Sequence, residues 1–514
     1  MSRDSTSTPP RLSGLERRVI GLLLVAAFVV ILNETIMGVA LPMIMEELSI
    51  TAATGQWLST AFMLTMAIVA PTTGYILQRF RLRPVFITAM SLFTTGTLIA
   101  GLSSAFAPLL LGRIVQASGT AIMMPLLMTT ILTIVPPASR GRIMGAVSIV
   151  ISVAPAIGPT VSGFILQSLS WQWLFLSVLP VAVIALVLGL IWLRNITETR
   201  PGHLDIPSVG LSVLAFGGII FGLSSFGEAA GGEQLLSPWI PLGAGLVALA
   251  LFIWRQLALA PSGRALLDLR AFARPVFRLN IAVIVIVMFA LFGSIIVLPI
   301  YLQTVLGLST LQTGLMLLPG GIVMGVMAPF VGRAFDRIGA RPLVIPGSII
   351  AAAALWGLAS LTEASDPLMV IAVHVVLNIG LALMFTPLMT SALGSLPHEL
   401  YSHGSAIFGT IQQLAAAAGT AIFITVMSLA SAGALESGAE PLAATEKGIQ
   451  AAFLTGAIVA TVTVVVTLFV RKSVPEAADA TPAEDADSAL TASAATPATG
   501  SIPVVEAPER DERG

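Results

Sequence analysis

Three ionisable side chains lie inside long apolar stretches of the sequence, where a charge is energetically costly. They are Glu34, Arg113 and His374. A charged Asp, Lys or Arg at the centre of a membrane-spanning helix costs about 2.5–3.5 kcal/mol, so such residues usually face a polar cavity and mark a path for ions or substrate. The pattern predicts that these three residues carry the chemistry of the chain.

Each of the three side chains suits a different task. Glu34 can bind and release a proton, and a site that holds either a proton or a cationic substrate would couple the two fluxes by exclusion. Arg113 stays protonated in proteins, so it can orient a partner but cannot carry the proton. His374 titrates near neutrality and could relay protons or bind substrate, together with Asn378 one turn later.

Structural alternatives stay open for the same residues. Glu34 could lie near the membrane interface and pair with Arg113. The guanidinium of Arg113 could be satisfied by helix carbonyls, and His374 could be an ordinary packed residue. The residue types therefore define candidates for a proton and substrate path, and the helices that hold them decide among the alternatives.

The composition places these helices in a membrane. Of 514 residues, 56% are hydrophobic and 10% are charged, whereas soluble domains carry about 25% charged residues. A bilayer core of about 30 Å requires roughly 20 apolar residues per helix. The predicted fold class is an all-α membrane protein with fourteen spans, at 19–41, 54–77, 85–104, 107–135, 142–166, 172–193, 206–226, 238–257, 279–301, 313–332, 343–361, 367–390, 405–430 and 449–470.

The basic residues predict the orientation of these spans. Lys and Arg concentrate in cytoplasmic loops, and a cytoplasmic N-terminus puts nearly all of the 25 Lys and Arg residues on that side, with Lys447 outside. A miscount by one helix would destroy this alternation. We therefore expect an inner (cell) membrane protein with both termini in the cytoplasm.

An internal repeat divides the chain into two halves. The segment GYILQRFRLRP at 74–84 recurs as GRAFDRIGARP at 332–342, and 118–129 resembles 379–390, so that Arg113 and His374 occupy corresponding positions. Duplicated halves are common among secondary transporters. We predict a cytoplasmic tail at 1–18, a six-helix bundle at 19–193, two extra helices with linkers at 194–278, a second six-helix bundle at 279–470 and a disordered cytoplasmic tail at 471–514.

Five motifs, each on the expected span, resemble those of one transporter family. They are LNETIMGVALP (32–42), the loop at 74–84 with its repeat, LLGRIVQASGTA (110–121), APAIGPTVSG (154–163) and WQWLFLSVLP (171–180). Over roughly 15–470 the chain resembles the major facilitator superfamily, and within it the fourteen-helix drug:proton antiporters. The resemblance implies the major facilitator fold, two six-helix bundles plus two extra central helices, and export of drug-like compounds in exchange for protons.

The resemblance also implies roles for particular residues. The fifth span matches the antiporter motif with Pro155, Gly158, Pro159 and Gly163, and ordinary packing of small residues is the alternative reading of that span. A cytoplasmic gate would be formed by Gly74, Arg79, Arg83, Gly332, Asp336, Arg337 and Arg341, although the arginines could serve only to set the topology.

The sequence departs from the family pattern at two positions. Gln78 replaces the usual Asp of the first loop motif, which puts the gate of the first half in doubt. Asn33 replaces the usual Asp of the first span and becomes a cavity candidate, with Glu34 beside it. Adjacent helical residues point about 100° apart, so the pattern leaves open whether Glu34 inherits the role of that Asp.

Other function classes find little support. The chain has no Cys, its four His form no cluster, and it has no GxxxxGK[ST] phosphate loop, so we expect no enzyme, no cofactor and no metal. With a net charge of -1, no nucleic-acid partner is expected. We expect a monomer that handles small molecules, protons and lipid. Alternatives are transport of one metabolite, peptide or lipid, a membrane sensor, or a membrane-embedded enzyme.

Overall fold

The described part of the chain folds into fourteen long α-helices. The structure, a computed structural model, describes residues 13–50, 52–136, 139–194, 204–229 and 237–469. The helices are α1 (Gly14–Glu47), α2 (Ala52–Arg79), α3 (Leu82–Gly101), α4 (Phe106–Ile134), α5 (Arg140–Leu166), α6 (Gln172–Trp192), α7 (Ile206–Ala229), α8 (Trp239–Leu259), α9 (Pro275–Ile300), α10 (Thr310–Ile338), α11 (Arg341–Ala359), α12 (Pro367–Gly394), α13 (Tyr401–Glu436) and α14 (Pro441–Thr467).

Each of the fourteen helices includes a segment long and apolar enough to cross a membrane. In lipid, backbone N–H and C=O groups must be satisfied within the segment, which a helix does. The fold class and the number of spans predicted from the sequence are confirmed. The predicted disorder of 471–514 and most of the predicted tail 1–18 lie outside the described residues.

Polar residues set several helix ends. Ser13 and Glu16 form a capping box at the start of α1, and Ser309 and Gln312 form one at the start of α10. These pairs satisfy backbone N–H groups that have no partner in the first turn. Gly339, with a positive φ of 80°, follows α10 and allows the sharp turn into α11.

The helices pack into two groups of six joined by two seams. Within the first group α3 packs on α4 and α6, and within the second α11 packs on α12 and α14. Between the groups, α5 packs on α10 and α2 packs on α13. The central helices α7 and α8 pack on each other, and α7 also contacts α2 and α13. Glycines permit this pairing, since a Cβ on Gly245 would lie 2.6 Å from the Ile219 nitrogen.

Candidate functional site

Arg113 is the centre of a polar network inside the first group of helices. It lies on α4 with 2% of its surface exposed. Its Nη1 donates to Oδ1 of Asn33 on α1 at 3.3 Å and to Oε1 of Gln116 at 2.7 Å. Gln116 in turn donates to the hydroxyl of Thr97 on α3 at 2.7 Å. The guanidinium carbon lies 3.9 Å from the ring centre of Phe62 on α2, so Arg113 contacts α1 and α2 directly and α3 through Gln116.

Glu34 lies beside this network on α1, half-buried. Its carboxyl is close enough to Arg113 for an electrostatic interaction, but Asn33 and Gln116 take the hydrogen bonds of Arg113 Nη1. Two buried donors, Arg113 Nε and Asn33 Nδ2, have no hydrogen-bond partner among the described residues. Buried polar groups are nearly always paired, so this site has capacity for a further acceptor.

His374 occupies the corresponding position in the second group. It lies on α12, and Asn378 Nδ2 lies 3.2 Å from its Nε2 and donates to its backbone carbonyl at 2.8 Å. Both residues pack against Gly320 of α10, where an added Cβ would lie 2.5 Å from the His374 ring. The repeat that pairs Gly74 with Gly332 also pairs Phe62 with Gly320. In the first group α4 contacts α2 through Arg113 and Phe62. In the second group the corresponding helices, α12 and α10, contact each other through His374 and Gly320.

Arg113 and His374 lie within separate groups of helices. The network around Arg113 lies on α1 to α4, whereas the partners of His374 are on α10 and α12. A cavity of about 20 Å³ lies inside the second group, and one of about 240 Å³ opens between α1 and α6. Neither is lined by Glu34, Arg113 or His374. The expectation that these three residues face a polar cavity therefore stays a prediction.

The proline-containing motif of α5 lies where the two groups meet. The helix continues through Pro155 and Pro159, although each removes one backbone donor. Gly158 packs against Thr35 of α1, where an added Cβ would overlap the Thr35 hydroxyl, and Gly163 approaches Leu311 of α10. This helix therefore contacts its own group on one side and the opposite group on the other.

One end of the molecule, called here the basic end, is formed by the last turns of α2 and α10 and the first turns of α5 and α13. At the α5–α10 seam, Asp336 accepts hydrogen bonds from the backbone N–H of Gly141 at 2.9 Å and of Arg142 at 3.0 Å. A carboxylate at a helix N-terminus is favoured by the helix dipole. Gly332 lies one turn before Asp336, and an added Cβ there would overlap the carbonyl oxygen of Gly141. The two backbones are therefore in direct contact.

The α2–α13 seam has a different construction. Gln78, which corresponds to Asp336, donates from its side chain to the Glu399 carbonyl at the long distance of 3.5 Å. Gly74 corresponds to Gly332 but has more space, since an added Cβ would lie 3.1 Å from His403 Nδ1 and 3.4 Å from the Leu266 carbonyl. Leu266 belongs to the connection between α8 and α9, so a segment from outside the repeat enters this seam.

A buried polar network holds that connection in place. Gln256 of α8 is fully buried, and its Oε1 accepts from the backbone N–H of Leu266 at 2.7 Å and of Leu267 at 3.1 Å. Its Nε2 donates to Ser208 of α7 at 2.8 Å. This network was not predicted from the sequence. The only signal was a polar Gln within an apolar helix, and its partners are backbone groups that no side-chain pattern reveals.

An ion pair supports the network at the start of α7. Arg255 donates to both carboxylate oxygens of Asp205, at 2.7 and 2.9 Å. Asp205 is buried, and the hydrogen bond from Arg255 outweighs the cost of burial and keeps the pKa of Asp205 well below its usual range. The pair is therefore charged at neutral pH and joins the ends of α7 and α8.

The remaining gate candidates are exposed arginines at the basic end: Arg79, Arg83, Arg337 and Arg341. Arg83 donates to the Leu190 carbonyl of α6 at 2.7 Å. Their exposure suits both readings, a gate contact or a topological signal, and their role stays a prediction. Among the described residues no group of three or more His, Cys, Asp or Glu could hold a metal ion.

Comparisons with known proteins agree with this architecture. Residues 23–420 match the Major Facilitator Superfamily. The lincomycin resistance protein LmrB of Listeria monocytogenes is 42% identical over 460 residues, covering 88% of this chain and 97% of that protein. The Bacillus subtilis LmrB is 40% identical over 456 residues, covering 88% of this chain and 95% of that protein.

Solved structures share the fold at low sequence identity. The human organic anion transporter MFSD10 superposes with a TM-score of 0.64 at 17% identity, covering 90% of this chain and all of that one. The proton:xylose symporter XylE superposes with a TM-score of 0.59 at 14% identity, covering 90% of this chain and 97% of that one. Fourteen helices of membrane-spanning length in the described residues, an internal repeat and a family match over most of its length establish that this chain belongs to the major facilitator superfamily of membrane transporters.

Proposed function

We propose that this chain is a secondary active transporter that exports drug-like amphiphilic compounds in exchange for protons. The relatives named for lincomycin resistance support antibiotics of that kind as substrates. A neutral or weakly basic antibiotic fits best, because Glu34 was the single carboxylate within the sequence-predicted spans. In this proposal the transporter is a monomer of the inner membrane with both termini in the cytoplasm.

The observation that carries the proposal is the unsaturated hydrogen bonding around Arg113. With Glu34 protonated, Arg113 can keep its bonds to Asn33 and Gln116. Once Glu34 loses its proton, the carboxylate attracts the unpaired Nε–H of Arg113 and the unpaired Nδ2–H of Asn33. Proton binding at Glu34 therefore changes which partners Arg113 holds, and a substrate that offers a donor would compete for the same carboxylate.

In this mechanism the two groups of helices move relative to each other at the two seams. The transporter alternates between states that open to opposite sides when the two groups of helices tilt against each other, a rigid-body transition. Asp336 holds the basic end closed at α5–α10 by capping α5, and tilting breaks that cap. The prolines of α5 bend the helix on which the groups move, while Gly158 keeps it close to α1.

Glu34→Gln is the decisive variant, because Gln keeps the shape of the side chain but cannot carry a proton. We expect it to abolish lincomycin-induced proton release from the purified protein and proton-driven lincomycin uptake into inverted vesicles. Glu46→Gln is the matched control, since Glu46 is exposed near the end of the same helix, and it should behave as the parent. Full proton coupling in Glu34→Gln would remove Glu34 from the mechanism.

The breadth of substrates needs its own measurement. Counterflow of a panel of antibiotics, peptides and lipids in proteoliposomes separates a drug exporter from a carrier of one metabolite, peptide or lipid. We expect several structurally unrelated amphiphiles to exchange with lincomycin. Exchange confined to a single compound would favour the narrow alternative and leave the proton mechanism unaffected.

A further inference from the structure

A groove on the outer surface of the first group of helices lies between α1 and α6. Its volume is about 240 Å³. Gly21 and Val25 line it on α1, and Val181, Ile184 and Leu188 line it on α6. Gly21 opens the groove, because an added Cβ there would meet nothing within 4 Å. Val25 and Ile184 are 50% and 57% exposed, so the groove is an apolar surface without a protein partner in the described part of the chain.

The length of the groove matches one leaflet of a bilayer. From Val181 to Trp192 along α6 is about 16 Å at 1.5 Å per residue, which is about half of the ~30 Å hydrocarbon core. Arg18 and Trp192 lie at its end, with the Arg18 guanidinium carbon 6.0 Å from the Trp192 ring centre. Tryptophan is enriched at the membrane–water interface, so this end of the groove is expected at headgroup depth.

The headgroup end of the groove is positively charged. Arg17 precedes Arg18 on α1 and Arg194 follows the last turn of α6. Arg83 reaches the same turn through its hydrogen bond to the Leu190 carbonyl. The acidic residue of this turn of α1, Glu16, accepts from the Ser13 backbone in the helix cap. The local excess of arginine favours an anionic headgroup over a neutral one.

We propose that this groove binds a net-anionic glycerophospholipid, with one acyl chain between α1 and α6 and the phosphate at Arg18. The apolar walls exclude a soluble ligand from the groove, and basic pockets between membrane helices suit anionic headgroups. The groove is lined by α1 and α6, whereas the two seams are formed by α5 with α10 and by α2 with α13, so the lipid stabilises the α1–α6 pair from outside the seams.

Native mass spectrometry of the purified full-length chain tests the site. With dioleoyl-phosphatidylglycerol and dioleoyl-phosphatidylcholine offered at equal concentration, the parent should retain phosphatidylglycerol preferentially. Arg18→Gln should weaken phosphatidylglycerol binding about fivefold, the usual effect of one arginine at an anionic surface. Gly21→Leu should reduce the binding of both lipids, because the new side chain fills the groove.

Matched controls distinguish lipid binding in this groove from non-specific lipid binding elsewhere on the surface. Arg264→Gln removes another exposed arginine, and Gly243→Leu adds a side chain at an exposed glycine of α8 whose Cβ would also meet nothing within 4 Å. Both should bind lipid as the parent does. Equal retention of the two lipids by the parent would overturn the headgroup assignment, and unchanged binding in Arg18→Gln and Gly21→Leu would overturn the site.

Discussion

The two seams at the basic end come from the same duplicated segment but close in different ways. At α5–α10, Asp336 caps the opposite helix and Gly332 brings the two backbones into contact. At α2–α13, Gln78 makes one long hydrogen bond, and the α8–α9 connection lies against Gly74. Both copies of the repeat have glycine at the close approach, whereas the residue one turn later is charged only in the second half.

The difference gives the two extra helices a structural role. Gln256 holds the backbone of Leu266 and Leu267, and the Leu266 carbonyl faces Gly74 and approaches His403 of α13. The central helices are therefore connected to the α2–α13 seam, where the uncharged Gln78 stands in place of Asp336. One seam is closed directly by its own helices, and the other with the help of an inserted segment.

The largest expected difference between the seams concerns their glycines. In Gly332→Ala the new Cβ would overlap a backbone carbonyl of α5, which cannot rotate away, so the α5–α10 seam should open at a cost of about 1–3 kcal/mol. In Gly74→Ala the nearest atom is His403 Nδ1 at 3.1 Å, and a small shift of that side chain relieves the contact. Gly332→Ala should therefore be the more damaging change.

Maleimide labelling of single cysteines measures this opening, since the chain has no Cys of its own. Ser148→Cys reports on the α5–α10 side, because Ser148 hydrogen-bonds to Thr386 of the opposite group. Ala406→Cys reports on the α2–α13 side, 3.4 Å from the position of a Gly74 Cβ. Labelling at Ser148→Cys should rise strongly in Gly332→Ala. An equal rise at Ala406→Cys in Gly74→Ala would show that the seams are equally tight.

An intermediate effect is expected from Gln256→Leu. This change leaves the backbone N–H groups of Leu266 and Leu267 buried without an acceptor, and each such group costs about 1–3 kcal/mol. We expect a lower melting temperature and faster labelling at Ala406→Cys, with labelling at Ser148→Cys unchanged. Ser208→Ala should be milder, because Gln256 keeps its acceptor role. Faster labelling at both reporters would contradict a separate role for the connection.

Sequence patterns predicted the fourteen spans, which the structure confirms, and singled out Asp336 as a gate residue, a role that stays a prediction. Apolar length alone defines a membrane helix, and Asp336 stands in a repeated motif among Arg333, Arg337 and Arg341. Patterns could not reveal that Arg113 bonds to Asn33 and Gln116 instead of Glu34, because helix rotation decides between adjacent residues. They also could not place His374 against Gly320, since that contact depends on which helices are neighbours.

The smallest and most specific effect is expected from Asp336→Asn. The substitution removes the charge but keeps one oxygen that can accept a hydrogen bond from Gly141 or Arg142. Asp336 is exposed, and a charge at an exposed helix N-terminus is worth about 0.3–1 kcal/mol. Labelling at Ser148→Cys should then rise about two- to fivefold, and the rise should shrink at high salt because the charge–dipole interaction is screened.

The corresponding change in the other half, Gln78→Asn, isolates the contribution of the charge. Gln78 has no charge to lose and its hydrogen bond is long, so labelling at Ala406→Cys should stay at the parent rate. A salt-dependent rise in Asp336→Asn with no change in Gln78→Asn would mean that only one of the two seams closes through a charged cap. A similar rise at Ala406→Cys in Gln78→Asn would instead mean that the long hydrogen bond of Gln78 also holds its seam closed, and the two seams would not differ at this position.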